Sequence, residues 1–391
     1  MNRYLYIILG FTLLLFSCKT DDENEASPPA ALSNFEKTFG GAEEDIANSL
    51  VQLGNAIYIY GHTSSFGELN GDHYLIKTDL AGNLIWEKTY GDLGKEEGTE
   101  IVKAKDGNLF LLGTTDSKGA GLSDIHVLKI TPDGELIWEK TFGGSSKDFP
   151  ASLIETSRNE ICIAATTESF GAGSRDMYVI WLDQNGQFIR EKVHGGTDID
   201  GSEGLVELDN KQLALFGYTA NYGATDRDYY LLKMNLTGDS LWSSRYGSSR
   251  YEESYSLSKT PNGGLLMNGH SANVDPNHNM YAVNIDSNGI VLWEKHFGGS
   301  EHDGGQASLV NKEGNYVLLG RGLSFGDRER NIFMVITDPD GNQLSETIIG
   351  KQKDERADKI IEVGSYYYIA GHSNSFSSNG DNDAYLVRLK K

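Results

Sequence analysis

Thiols, basic residues and catalytic signatures are all scarce in this chain. Of 391 residues two are cysteines, Cys18 and Cys162, so a disulfide framework is excluded. Cys162 lies in the apolar run EICIAA, where a lone thiol is a packing residue far more often than a nucleophile. About 355 residues bury a core large enough to need no bridges. Lys and Arg total 34 against 56 Asp and Glu, a net charge of −22 spread along the chain. Nucleic acid is thereby excluded as a partner, because its phosphates would be repelled and no basic stripe could release its counterions. HExxH, GxSxG, a phosphate loop and paired cysteines are all missing, so no reaction can be read from a motif.

Long apolar runs are absent except near the N terminus, where Arg3 precedes an apolar stretch at residues 4–16. That stretch is too short to span a bilayer stably and reads as a signal sequence. Leu15, Phe16, Ser17 and Cys18 resemble the bacterial lipobox, which implies cleavage before Cys18 and lipid acylation of its side chain. Residues 1–18 are thus expected to be a lipoprotein signal peptide. Residues 19–33, with four acids, two prolines and no aromatic, cannot form a core and are expected to be a flexible tether. The cluster Asp21, Asp22, Glu23 and Glu25 resembles the tag that exports some lipoproteins to the outer face of an outer membrane; a solvated spacer is the other reading.

What the chain does have is a repeat. Segments EKTFGG, EKTYGD, EKTFGG, EKVHGG, SSRYGS, EKHFGG and ETIIGK follow Phe35, Trp86, Trp138, Arg190, Trp242, Trp293 and Ser345, at spacings of 51, 52, 52, 52, 51 and 52 residues. Such even spacing leaves no room for a second domain and marks units that bury their faces against their neighbours. Each unit holds four apolar runs; in the second these are residues 99–104, 108–115, 124–130 and 135–142, separated by glycine-bearing turns. We name the four strands A to D. Strand B (LFLLG from Leu109) is apolar on both faces, whereas D carries Glu139 and Lys140 like an edge that must not pair further. This predicts an all-β fold over 34–391, a seven-bladed β-propeller of four-stranded antiparallel blades with A at the axis and D at the rim. The domain opens on a D-type strand and ends on a C-type strand, so the N-terminal strand is expected to complete the last blade and close the ring.

Superposing the copies brings out candidate sites. An acid precedes strand A in every unit: Asp45, Glu96, Asp148, Asp200, Glu252, Asp303 and Glu355. Around one channel mouth these carboxylates would repel one another or recruit a divalent cation; the stronger reading is that each ties the inter-blade crossover by accepting backbone N–H bonds. A second polar position opens strand C, as Asp72, Asp124, Asp176, Asp228 and Asp383, with Asn279 and Asn331 in blades five and six; asparagine there favours a structural role. The DPDGN turn at Asp338 lacks the further ligands of a calcium loop. Phe66, Phe170, Tyr222, Phe325 and Phe376 recur in the long B–C loops, as platforms for a sugar or, more often for such rings, as wedges between blades. His62, His270 and His372 share one position at the end of strand B, and His372 and His62 belong to adjacent blades; hydrogen bonding to a loop outweighs metal ligation there.

The WEKTFGG strand, the SFGxG loop and the acid-opened C strand (DHYLIK, DIHVLK) resemble a bacterial seven-bladed β-propeller repeat family. The resemblance implies a secreted or lipid-anchored protein of the outer membrane or cell surface, often without a known reaction. Blade five departs most from the pattern, with SSRYGSS and ANVDPNHN, and is the place to look for a specific pocket. The expected function is non-enzymatic: a monomeric lipoprotein, membrane-attached through Cys18, that binds a glycan or protein on its loop face without a cofactor. The alternative is a polysaccharide hydrolase or lyase with carboxylates or a histidine at the channel mouth.

Overall fold

The computed structural model describes residues 33–391 apart from 69, 225, 249, 273–277, 326–328, 351–352 and 378–379. Cys18, the expected signal peptide and the tether up to residue 32 lie outside the described residues.

The apolar runs form strands and the glycine turns join them: Gly107 (φ 86°) and Gly134 (φ 77°) take the left-handed backbone that their hairpins need. In blade two the order from the axis outward is Glu96–Lys103, Leu109–Thr115, Asp124–Ile130 and Leu136–Phe142. Strands B and C of this blade are buried at every residue, while D exposes Leu136 and Ile137 at the rim. Seven such four-stranded antiparallel sheets make up the described residues, as a seven-bladed β-propeller.

Ring closure follows from the offset between repeat and blade. Phe35–Phe39 pairs antiparallel with Asp383–Lys390 and forms the fourth strand of blade seven. Arg388, only 2 % exposed, fixes the joint. Its Nε donates to the Ser33 carbonyl at 2.8 Å, and its guanidinium lies 4.5 Å from the Phe35 ring centroid.

The hydrophobic core is divided into seven clusters, each between two adjacent blades. Phe110, Leu112 and Val127 of blade two meet Ile161, Ile163 and Ile180 of blade three, and Met267 and Val283 of blade five meet Phe216 and Leu231 of blade four. A buried side chain of this size contributes ~1.5–3 kcal/mol, so removing one blade would strip two clusters. One boundary differs from the sequence expectation: the recurrent acids are the first residues of the A strands, which run Asp45–Leu53, Glu96–Lys103, Asp148–Glu155, Asp200–Glu207, Glu252–Lys259, Asp303–Val310 and Glu355–Val363.

Every A strand also carries a β-bulge near its middle, in the same place in all seven blades. The extra residues are Asn48, Thr99, Ala151, Glu203, Tyr255, Gln306 and Asp358. A bulge re-aims the side chain it adds, and all seven line a central cavity of about 800 Å³.

Candidate functional site at one mouth of the channel

The seven recurrent acids do not stand free around the mouth. Asp45, Glu96, Asp148, Asp200, Glu252 and Glu355 are 0 % exposed and Asp303 is 1 % exposed. Asp148 Oδ2 accepts the Gly144 N–H and the Ser169 hydroxyl, both at 2.8 Å, which ties the crossover after blade two to the B–C loop of blade three. Asp45, Asp200 and Asp303 take the equivalent glycine N–H groups at 2.7, 2.7 and 2.6 Å. Glu252 accepts from Ser248 and Ser271, while Glu96 and Glu355 accept from paired hydroxyls, Thr115 with Ser117 and Ser373 with Ser375. The acid opening strand C lies across the same crossover. A Cβ on Gly143 would collide with Asp124 and lie 2.6 Å from Asp148 Oδ2, so only glycine passes between the two carboxyls.

The loop aromatics lean on strand C of their own blade, with ring centroids 5.7 Å apart for Phe66–Tyr74, 5.4 Å for Phe170–Tyr178 and 5.0 Å for Phe325–Phe333. Phe66 and Phe376 also join the clusters at blade junctions, and Tyr222 stays 55 % exposed. His62 and His372 are largely buried; burial first, then for His372 the charge of Arg356, pushes both below the ordinary imidazole value, His372 to about 3. His270 is the member of the trio that opens on a cavity.

That cavity, about 300 Å³, is lined by His270, His278, His302, Asp303, Gly304, Arg321 and Arg330 over blades five and six. The side chains arise where the copies differ. The residue after each recurrent acid pairs with the residue at the end of strand B, giving Gly201 with Tyr218, Glu253 with His270, Gly304 with Arg321 and Arg356 with His372 in blades four to seven. The corresponding pairs in blades one to three are Ile46 with His62, Glu97 with Thr114 and Phe149 with Thr166. Cationic and aromatic groups therefore concentrate on one side of the mouth.

Glu253 is the hub of this side. Its Oε2 lies 3.3 Å from His270 Nε2, and an Arg227 nitrogen is 4.0 Å from Oε1. Burial works to raise the carboxyl, but hydrogen bonds from His270, Tyr251 and Tyr255 outweigh it and hold it down at about 2. The His270 ring is 5.5 Å from Tyr255 and 5.0 Å from His278, which is 5.2 Å from His302. Burial and the two flanking histidines depress His278, and burial, then Glu253, drives the phenol of Tyr255 up. Among the described residues Arg321 has no carboxylate oxygen within 4 Å; burial and the neighbouring Arg356 lower its pKa. Arg330 and Arg356 are held at 3.8 Å by Asp354 and 3.0 Å by Asp358.

The channel lining also holds a polar cluster. Lys359 Nζ reaches past blade one to Glu100 Oε1 at 2.9 Å, and Glu100 also accepts the Ser152 hydroxyl at 3.1 Å. Glu203 projects from its bulge, and burial with the Glu253 charge raises it to about 8. Among the described residues no three of His, Cys, Asp and Glu come together as a ligand set for a metal ion.

Of this constellation sequence reasoning singled out His270 and Asp303 as members of repeated sets, and blade five, whose ANVDPNHN segment carries His278, as the irregular copy in which to look for a pocket. Tyr251, Glu253, Tyr255, His302, Arg227, Arg321 and Arg330 were not named, because individual residues were picked by superposing copies for sameness. The available signal was the opposite one, the position after the recurrent acid, which changes from Ile46 and Phe149 to Glu253 and Arg356 around the ring.

No family model and no curated protein matches the sequence. Solved structures do resemble the fold. An ulvan lyase of polysaccharide lyase family PL25 superposes with a TM-score of 0.59 at 13% identity, over 90% of this chain and 96% of the other. Puromycin hydrolase gives 0.56 at 12% identity over 88% of this chain and 52% of its own. Sqt1 from Chaetomium thermophilum gives 0.52 at 11% identity, over 87% and 83%. Identities this low show the propeller and nothing of its chemistry.

Proposed function

We propose that the protein is a surface lipoprotein that binds an acidic polysaccharide at the channel mouth over blades four to seven. The observation that carries this reading is Arg321, a partly buried guanidinium lining the 300 Å³ cavity with no carboxylate within 4 Å among the described residues. Asp358 attracts this guanidinium only from beyond ion-pair distance, so its donors are left for an incoming anion to meet. Arg330, Arg356, His270, His278 and His302 add donors around it, and the rings of Tyr251 and Tyr255 lie beside His270 as an apolar surface for a sugar. One structure of the PL25 ulvan lyase is described as bound to -[GlcA(1-4)Rha3S]-, an acidic saccharide on a propeller, which supports the ligand class by analogy of fold alone.

Attachment through acylated Cys18 would leave the propeller on a tether at the cell surface or outer membrane; a Cys18→Ser protein is expected in the soluble fraction. The 33–391 fragment, which contains every strand, should bind acidic polysaccharides and ignore neutral ones in calorimetry. Arg321→Ala should weaken binding at least ~10-fold, the equivalent of ~1.4 kcal/mol. Equal affinity for neutral glycans, or an unaffected Arg321→Ala variant, would overturn the reading.

A further inference from the structure

The mouth holds more than binding requires. His270 Nε2 shares its hydrogen with the Glu253 carboxylate at 3.3 Å, which leaves the lone pair on Nδ1. Nδ1 faces open space: a Cβ on Gly304 would stand 3.5 Å from it, and Gly304 and His270 line the same 300 Å³ cavity. In the other copies Ile46, Glu97, Phe149, Gly201, Glu253 and Arg356 occupy the position of Gly304, and every one but Gly201 carries a side chain that would enter that space. A histidine oriented by a carboxylate, with its basic nitrogen on a cavity, has the arrangement of a general base. Glu253 is bound by His270, Tyr251 and Tyr255 together, so it is the orienting anion. Tyr255 lines the central channel rather than the 300 Å³ cavity, but its ring stands 5.5 Å from that of His270; its hydroxyl bonds Glu253 and keeps its proton through neutral pH. Arg321, which has no carboxylate oxygen within 4 Å among the described residues and feels Asp358 only at longer range, lines the same cavity as His270.

Building on the acidic-polysaccharide reading, we propose that this mouth cleaves its ligand by β-elimination at a 4-linked uronate, with His270 as base, Tyr255 as proton donor and Arg321 as the carboxylate clamp. Arg321 draws charge onto the uronate carboxylate and so acidifies the proton on C5. His270 Nδ1 takes that proton, the C5–H electron pair forms the C4=C5 double bond, and the C4–O4 bond breaks. The departing O4 takes the Tyr255 proton. One chain ends in a 4,5-unsaturated uronate and the other in a free hydroxyl; no water, oxidant or added metal enters the balance. His270 then returns its proton to the Tyr255 phenolate through solvent. Glu253 is a positioning residue.

The test incubates the full chain with polygalacturonate, alginate, a glucuronate-containing sulfated polysaccharide and their carboxyl-reduced forms, while following the ultraviolet absorbance of the conjugated double bond. At least one native polymer should yield unsaturated product and its reduced form none. His270→Gln should lower kcat by ~10²–10⁴-fold, the usual contribution of a general base, with affinity unchanged; Tyr255→Phe should act in the same way. Glu253→Gln should lower kcat with KM held, a split that loosened packing would not produce. Circular dichroism selects the folded variants, and Tyr255→Phe, which keeps the ring, serves if His270→Gln fails to fold. A polymer that binds and stays intact overturns the elimination and leaves the binding reading standing, whereas absence of binding by every acidic polymer removes both. New reducing ends without absorbance would mark hydrolysis and overturn the elimination, and full turnover by His270→Gln would overturn its role.

Discussion

Asp124 and Asp148 face one another across Gly143, and the structure predicts a loss when the Asp148 carboxylate is removed and a pH-dependent gain when Asp124 loses only its charge. Asp148 accepts two hydrogen bonds through Oδ2, from Gly144 N–H and Ser169 Oγ–H, at 2.8 Å each, and like Asp124 keeps its second oxygen buried without a partner. Bonds to an ionised group contribute ~1.5–3 kcal/mol each, so Asp148→Ala should cost about 3–6 kcal/mol. Asp124 accepts the N–H groups of Ala120 and Gly121 at 2.8 and 2.9 Å through Oδ2, while its other oxygen is buried without a partner. Burial, and behind it the Asp148 charge, raises the Asp124 pKa. A carboxyl raised in the folded state binds its proton more tightly there than in the unfolded chain. Its contribution to stability therefore declines as pH rises from the unfolded value, about 3.9, through the raised folded one. Asparagine keeps the acceptor oxygen, cannot ionise, and already occupies this position as Asn279 and Asn331. Asp124→Asn should thus be near neutral at pH 5 and stabilising by ~0.5–1.5 kcal/mol at pH 8.5, about one hydrogen bond. Urea unfolding followed by circular dichroism at both pH values measures each change. A loss above 1 kcal/mol for Asp124→Asn at pH 8.5, or no loss for Asp148→Ala, would refute the account of the acids as blade ties; a ligand ring would instead show altered binding at unaltered stability.

Deleting residues 33–40 removes the rim strand of blade seven and takes the Ser33 carbonyl and Phe35 ring from the Arg388 guanidinium, leaving it the Leu80 carbonyl. At ~1 kcal/mol per ladder hydrogen bond and ~1.5–3 per buried Phe, several kcal/mol should go, and an unchanged melting temperature would sink the closure assignment. Glu203, raised to about 8, loses native stability as pH climbs from its unfolded value toward 8. Glu203→Gln should therefore melt above wild type at pH 8.5, with the gap closing at pH 5; the shift sets a ceiling of ~5 kcal/mol, lowered by the channel water that still reaches the side chain. Buried histidines act in the acid range. Tyr60 Oη, His73, His126 and Glu139 form a chain of contacts of 2.9, 3.0 and 3.0 Å, and burial holds both imidazoles below their ordinary value. Their contribution is present above the unfolded value, about 6.5, and is lost as pH falls below it. His73→Gln should soften the fall in urea midpoint between pH 7 and 5, and an identical profile in wild type and variant would count against the chain.

Blade number, strand order and closure were legible because seven copies of one unit repeat the same turn glycines and apolar runs, so errors in any single copy cancel. The start of strand A was misplaced: the recurrent acid looked like a loop residue, yet the backbone from Asp45 onward is already paired, beginning with Thr63. Blade five stood out as the irregular copy, but the side chains that make up the mouth were not legible because their placement depends on a bulge, and a bulge leaves no mark on hydrophobic periodicity. Tyr255 reads as an ordinary strand residue between Ser254 and Ser256, and Glu253 is hidden beside the recurrent Glu252. Which of two adjacent carboxylates is a blade tie and which reaches the cavity is decided by strand pleat, since neighbours on a strand point to opposite faces.

The bulges also separate two design problems that most folds must solve together. On either side of residues 48, 99, 151, 203, 255, 306 and 358 the ladder with strand B resumes its pairing, so each blade contributes to the channel one residue that stands outside the backbone ladder. These positions already hold seven different residue types, Asn, Thr, Ala, Glu, Tyr, Gln and Asp. The frame thus behaves as a socket with seven exchangeable pins, and a library randomised there would sample new specificities while the cores between blades remain as they are.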